Sequence, residues 1–179
     1  MRNVISAAAC ASLILMGACG GDSGTNSTPT PTPVPVPAAA VTSVGDGALV
    51  VHPSAAPSWN VSLYVPIRIQ ETAGGTATWN YARVSLWRGG VEMERGEIGE
   101  DIIASPPSWA DITARQNETY ALVFGFNTSD FDTITLVLGF SDKRDGRQFE
   151  VSVPFESFTG VNISLEPLSR PAQSVHRLK

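Results

Sequence analysis

From Val41 onward, apolar and polar residues alternate with a period of two, the signature of strands that lay one face on a core. The clearest stretch runs from Trp59 to Gln70. There Trp59, Val61, Leu63, Val65, Ile67 and Ile69 alternate with Asn60, Ser62, Tyr64, Pro66, Arg68 and Gln70. Pro66 has no N–H to give a ladder, so this strand is expected at a sheet edge or bulged at that point. Thr78 to Arg88 is the next strand, with Ala82, Val84 and Leu86 on one face and Trp79, Tyr81, Arg83, Ser85 and Trp87 on the other. Gly89-Gly90 then reads as a two-residue hairpin turn into a charged strand, Val91 to Ile98. Ala48 to His52 is a short apolar strand that precedes these.

Beyond the Pro106-Pro107 break, Thr119 to Phe126 places Tyr120, Leu122, Phe124 and Phe126 on one face, and Thr133 to Asp142 places Ile134, Leu136, Leu138 and Phe140. Lys143 to Gly146 is a turn. Arg147 to Phe155 returns with Phe149, Val151, Val153 and Phe155 inward, and Val161 to Leu165 suits one more short strand. No window carries a convincing helical period. Seven or eight short strands with regular turns predict an all-β fold, a sandwich or small barrel, over residues 41–168. The polar segment 169–179 is expected to fray.

The first forty residues follow a different pattern. Arg2 precedes an apolar run, Val4 to Met16, interrupted only by Ser6 and Ser12. At about 1.5 Å per residue this run is too short to cross a bilayer core of roughly 30 Å and has the length of an export-signal core. It ends in Met16-Gly17-Ala18-Cys19. This tetrapeptide resembles the lipobox of bacterial lipoproteins, with Met16 where that family more often has Leu. The resemblance implies a signal peptide at 1–18 processed at Met16, Gly17 and Ala18, and acylation of Cys19 in the bilayer. An ordinary secretory signal cut after Ala18 is the alternative. Gly20, rather than Asp, follows Cys19, which in that family favours the outer over the inner membrane. Residues 19–40 form the linker. Pro29 to Pro37 sets proline at every second position, a composition suited to extended polyproline II, disordered with respect to the domain, that would hold the domain some tens of ångströms from the anchor.

Composition narrows the function. The formal net charge is −5, which argues against a nucleic-acid partner and gives no attraction to an anionic membrane surface. Both cysteines, Cys10 and Cys19, precede the domain, so the domain can form neither a disulfide nor a thiolate metal site. With only His52 and His176, histidine-based zinc sites and triads are poorly supplied, and no G-x-S-x-G occurs. The reading is therefore of a protein with no catalytic residues, metal or cofactor.

Thr119 to Phe155 resembles the last three strands of bacterial immunoglobulin-like or fibronectin-III-like domains. The resemblance covers Val41 to Glu156 and rests on strand count and spacing. It implies an antiparallel Ig-like β-sandwich, an architecture that hosts many functions and fixes none.

Three clusters could carry chemistry. Glu92, Glu94, Glu97, Glu100 and Asp101 follow the Gly89-Gly90 turn, with Glu92 and Glu94 on one strand face. They read first as a charged edge strand that blocks aggregation, with calcium ligation or glycosidic chemistry as alternatives. Asp142, Asp145 and Gly146, with Asp130 and Asp132, read as ordinary turn residues rather than a calcium loop. The third cluster is the stripe of Trp79, Tyr81 and Trp87 with Arg83 between them. If Ala82, Val84 and Leu86 face the core, parity points this stripe to solvent, where it would meet an envelope protein or a glycan. Covering loops or a second sheet are the alternative. The function read from the chain is that of a lipid-anchored envelope protein whose sandwich binds or scaffolds another component, or alternatively binds carbohydrate through the aromatic face.

The lipobox makes a direct prediction. Cys19→Ser abolishes acylation and leaves an unprocessed precursor or a soluble form, read by detergent phase partitioning. A mature Cys19→Ser protein that still partitions with membranes would disprove the anchor.

Overall fold

The computed structural model describes residues 34–178. The signal segment, the lipobox with Cys19, and the linker as far as residue 33 lie outside the described residues. Residues 35–178 lie in one compact unit. Eleven strands among the described residues build two sheets packed face to face, an all-β sandwich with more strands than the seven or eight expected.

Sheet A contains β1 (Val41–Gly45), β2 (Leu49–Pro53), β3 (Val61–Glu71), β7 (Asn117–Phe126), β10 (Val161–Ile163) and β11 (Ser174–Arg177). Its order is β10-β2-β3-β7-β11, with β1 also paired to β3. Sheet B contains β4 (Ala77–Arg88), β5 (Val91–Ile98), β8 (Thr133–Asp142) and β9 (Gln148–Val153) in the order β5-β4-β8-β9, and the two-residue β6 (Asp111–Ile112) pairs with the start of β4. All pairs are antiparallel except β10 with β2, which is parallel. A single helical turn, α1 (Glu100–Ile103), follows β5 and buries Ile103.

The core is made by the alternating rows. Leu63, Val65, Ile67 and Ile69 of β3 and Tyr120, Leu122, Phe124 and Phe126 of β7 meet Ala82, Val84 and Leu86 of β4 and Ile134, Leu136, Leu138 and Phe140 of β8, all buried. At about 1.5–3 kcal/mol per large side chain removed from water, these rows supply the dominant favourable term of folding.

Three expectations change. Pro66 is neither at an edge nor in a bulge: it lies in central β3, paired to Ala121. On the other side of β3, β1 pairs only from Ile67 onward and β2 only up to Tyr64. Pro66 therefore faces the gap between two strands laid end to end, where a missing N–H costs no ladder bond. Its carbonyl, on the same side, accepts the Asp46 N–H at 3.0 Å. Trp59 does not extend the inner row. It precedes β3 and covers Gly125, where an added Cβ would come within 2.5 Å of the indole. The C-terminal segment does not fray: β11 zips antiparallel onto β7, with Val175 buried opposite Leu122. Short polar sequences carry little periodic signal, and this strand exists because β7 offers it a free edge.

The turns follow the sequence closely. Gly89 and Gly90 have φ of 55° and 80°, the positive pair that a tight hairpin needs.

Two buried carboxylates hold the corner where the chain passes from sheet A to sheet B. Glu71, at the end of β3, accepts the backbone N–H groups of Ala40 (3.2 Å), Ala73 (3.0 Å), Gly74 (2.8 Å), Gly75 (3.2 Å) and Arg115 (2.9 Å). Asp142, at the end of β8, accepts the Ala39 N–H at 3.0 Å and the Arg144 N–H at 2.9 Å. Gly75 is packed so closely on this segment that an added Cβ would sit 2.5 Å from the Ala39 nitrogen. The linker thus meets the domain at a fixed point. Burial pushes the Glu71 carboxyl up, but the amide hydrogen bonds outweigh burial and hold it below the ordinary glutamate value.

A folded-state value below the unfolded one gives stability that is complete above the unfolded value, near 4.5, and is lost as pH falls through the folded one. Glu71→Gln keeps one acceptor oxygen and turns an N–H₂ toward other N–H groups. It is expected to cost about 2–3 kcal/mol at neutral pH and to flatten the loss of stability on acidification below that range. Urea melts of both proteins from pH 7 to pH 3 test this, and equal acid slopes would rule out the role assigned to Glu71.

Candidate functional site

The outer face of sheet B carries the residues singled out in the sequence, and a bulge decides which of them share it. Opposite β8, Trp79 pairs with Phe140 and Tyr81 pairs with Gly139, so β4 spends two steps against one on its partner. Asn80 is the additional residue, and side-chain parity resets across it. Trp79 therefore points inward with Ala82, Val84 and Leu86 and is fully buried. This corrects the expectation that Trp79 shares a solvent face with Tyr81 and Trp87. Its ring meets Tyr120 of the opposite sheet edge-on at 5.3 Å and stacks with Phe140 at 6.3 Å. Its indole N–H donates to the Tyr81 carbonyl at 2.9 Å, a partner within the bulged stretch itself.

Tyr81, Arg83 and Trp87 do lie on the outer face, each partly exposed. Cross-strand register places Tyr81 beside Gly139 and then Glu150, Arg83 between Glu97 and Val137, and Trp87 between Glu92 and Thr133. Tyr81 lies flat across Gly139: a Cβ there would be 2.1 Å from the ring. The glycine is what lets the ring rest on the backbone of β8 and reach β9. There the Tyr81 hydroxyl donates a hydrogen bond to Glu150, which with burial pushes the hydroxyl above its ordinary value. The Arg83 guanidinium lies over the Tyr81 ring, 4.8 Å from its centroid, and its Nε donates to Glu97 at 2.9 Å. Glu97, Arg83, Tyr81 and Glu150 thus form one layer across all four long strands of sheet B. The Trp87 indole N–H donates to Thr135 Oγ1 at 3.0 Å, which lays that ring along the same face.

Beside the bulge the face opens into a groove of about 540 Å³ whose lining includes Asn80, Tyr81, Glu100, Ser141, Gln148 and Glu150. Asn80 Nδ2 donates to Ser141 Oγ at 2.6 Å. The amides of Asn80 and Gln148, the Ser141 and Tyr81 hydroxyls and the Glu100 and Glu150 carboxylates are the polar side-chain groups here, a set fitted to hydrogen-bond a polar ligand. Sequence reasoning missed Asn80, Ser141, Gln148 and Glu150. The alternation in Arg147 to Phe155 already sends Gln148 and Glu150 outward, but that they meet Tyr81 depends on register across β8.

The acidic cluster does not act as a unit. A second bulge, at Met93, separates Glu92 opposite Trp87 from Glu94 opposite Leu86, so the two carboxylates leave the strand on different faces, against the expectation of a shared one. Glu92 accepts two bonds from Arg95 at 2.8 Å, and that interaction lowers its carboxyl below the ordinary range. Glu94 instead accepts the backbone N–H groups of Asn127 at 2.9 Å and Thr128 at 3.2 Å, capping a loop of the opposite sheet. Asp132 accepts the Gly89 N–H at 2.8 Å, Asp145 accepts that of Arg147 at 3.0 Å, and Asp130 pairs with Arg88. Among the described residues, His, Cys, Asp and Glu side chains form no cluster of metal-ligand geometry.

The histidines lie apart. His52 Nδ1 is 3.1 Å from the Glu166 carbonyl. His176 is on β11 rather than in a loose tail, with Nε2 3.0 Å from Ser174 Oγ. That hydroxyl donates to the Pro171 carbonyl at 2.6 Å, so its proton points away from the imidazole. The ring then serves as donor, the wrong tautomer for activating the serine.

The two tryptophans give opposite predictions. Trp79→Ala empties a fully buried site and is expected to cost about 3–5 kcal/mol, whereas Trp87→Ala on the outer face is expected to cost about 1 kcal/mol or less. Chemical denaturation of each single variant measures both, and equal losses would contradict the resetting of parity at Asn80. No protein-family model matches the chain, and no curated protein matches it.

Proposed function

We propose that this protein is a lipid-anchored component of a bacterial cell envelope, without catalytic activity, whose sandwich binds or scaffolds another envelope or extracellular component through the outer face of sheet B. The observation that carries the reading is the Glu97–Arg83–Tyr81–Glu150 layer with Trp87 beside it. Arg, Tyr and Trp are the residue types that dominate binding hot spots, and here they are pre-ordered by their mutual contacts. Pre-ordering lowers the entropy lost on binding. Anchorage rests on the lipobox at Met16 to Cys19, with outer-membrane placement favoured by Gly20. The fixed point at Ala39 and Ala40 supports the same reading, since it gives a tether a defined place to leave the domain.

A second reading, a carbohydrate-binding module, has its own support. The groove at Asn80, Gln148 and Glu150 offers amide and carboxylate groups to sugar hydroxyls. Tyr81 is partly covered by Arg83, so a sugar would be held by hydrogen bonds in the groove more than by stacking on an open aromatic platform.

The two readings separate under one set of variants. Tyr81→Ala with Arg83→Ala removes the layer at a stability cost of about 1 kcal/mol or less. Retention on immobilised protein is measured with envelope extracts and with a polysaccharide panel. The protein-binding reading expects a specific envelope protein retained by the native chain and lost with the double variant. The carbohydrate reading expects polysaccharide retention lost with Gln148→Ala and Glu150→Ala. Retention unchanged by all of these variants removes the face from consideration.

A further inference from the structure

A second surface, remote from that face in the order of strands, has the properties of an interface. Strand β10 is the end strand of sheet A. Val161 and Ile163 sit in register with Leu49 and Val51 of β2, both buried, so they lie on the core-facing side of the sheet. Yet Val161 is 41% exposed, Ile163 81% and Leu165, in the bend just past the strand, 91%. The inner face of sheet A thus continues past the cover that sheet B provides. The overhang floors an apolar groove of about 470 Å³ whose lining includes Val51, Val61, Phe131, Ile163 and Leu165.

The backbone of β10 is open as well. The Leu49 N–H donates to the Gly160 carbonyl at 2.8 Å and the Ser164 N–H to the Val51 carbonyl at 2.9 Å. In a parallel pair, bonding alternates along the strand, so Asn162 shares this side and the N–H and C=O groups of Val161 and Ile163 point away from the sheet. Natural edges are commonly guarded by charge. The end strands of sheet B carry Glu92, Glu94, Arg95 and Glu97 on β5 and Glu150 on β9, and β11 carries Arg177. From Phe158 to Leu165 there is no charged side chain.

We propose that β10 pairs with β10 of a second copy of this chain, joining two A sheets across a two-fold axis at Ile163. Three features select this occupant. The segment Val161-Asn162-Ile163-Ser164-Leu165 is a palindrome of apolar and polar positions. An antiparallel self-pair centred on Ile163 sets Ile163 opposite itself and, with the pairing extending β10 through the bend that now follows it, Asn162 opposite Ser164 and Val161 opposite Leu165 of the other copy. The outward-pointing backbone groups of Ile163 are the ones such a centre uses, so parity and register agree. Charge selects it too: in a chain of net charge −5, a neutral edge is the place where two copies can approach without like-charge repulsion. The apolar side chains of both copies then lie on one side of the joined sheet and cover each other's overhang, an isologous interface that closes at two.

The test uses the full chain with Cys10→Ser and Cys19→Ser, in density-matched detergent. Sedimentation equilibrium is expected to show a monomer–dimer equilibrium that Ile163→Lys weakens about tenfold or more, with the two chains melting alike at concentrations where both are monomeric, because the side chain is exposed in the single chain. Register is tested separately. At the centre of such a pair the Cα atoms are about 5.5 Å apart, within disulfide range. Ile163→Cys is therefore expected to give an oxidised dimer. Val161→Cys alone, with its two copies roughly 13 Å apart, is not, whereas a mixture of Val161→Cys and Leu165→Cys chains is. A chain that stays monomeric at every concentration, a dimer indifferent to Ile163→Lys, or cross-linking at 161 alone as strong as at 163 would each overturn the proposal.

Discussion

The sandwich turns on one carboxylate. A chain that moves from β3 in one sheet to β4 in the other must expose backbone N–H groups at the crossing, and in a dry corner each unpaired donor is costly. Glu71 gathers five of them, from the segment that precedes β1, from the crossing itself and from the turn before β7. Its charge is kept by those same bonds, so the corner and the ionisation state support each other. Asp142 extends the arrangement to the end of β8 through Ala39. Three connections far apart in sequence are thereby fixed to one point, and the linker leaves the domain from there.

With that corner set, the bulge at Asn80 determines what the outer face of sheet B presents. One residue inserted against β8 turns Trp79 into the core and leaves Asn80 and Tyr81 both facing outward. The same insertion opens the groove between them and Ser141. Core and candidate site are in this sense one decision. Trp79 fills the space between Tyr120 and Phe140, and the face keeps an arginine–tyrosine layer supported from below by Gly139.

The two exposed surfaces differ in kind. The face of sheet B is polar, charged and internally paired, with its side chains already held in place. The edge at β10 is apolar and has backbone groups directed outward. The first suits recognition of a different molecule, the second self-association, and they belong to different sheets. A dimer joined through β10 would leave both copies of the sheet B face open.

The sequence by itself determined the class of fold, the inward rows of β3, β7, β8 and β9, and the glycine turn at Gly89-Gly90. Each of these is local, readable from a period of two or from a residue that tolerates positive φ. It also marked Tyr81, Arg83 and Trp87 correctly as an outward set. What it did not contain was register. That Trp79 is buried, that Glu92 and Glu94 part company, that Pro66 sits harmlessly in a central strand and that a polar tail becomes β11 all follow from which residue lies opposite which on a neighbouring strand. An inserted residue leaves no mark in the hydrophobic pattern of its own strand when both alternatives are aromatic. Only the pairing with β8 shows that parity has changed, and that pairing is a property of the folded sheet.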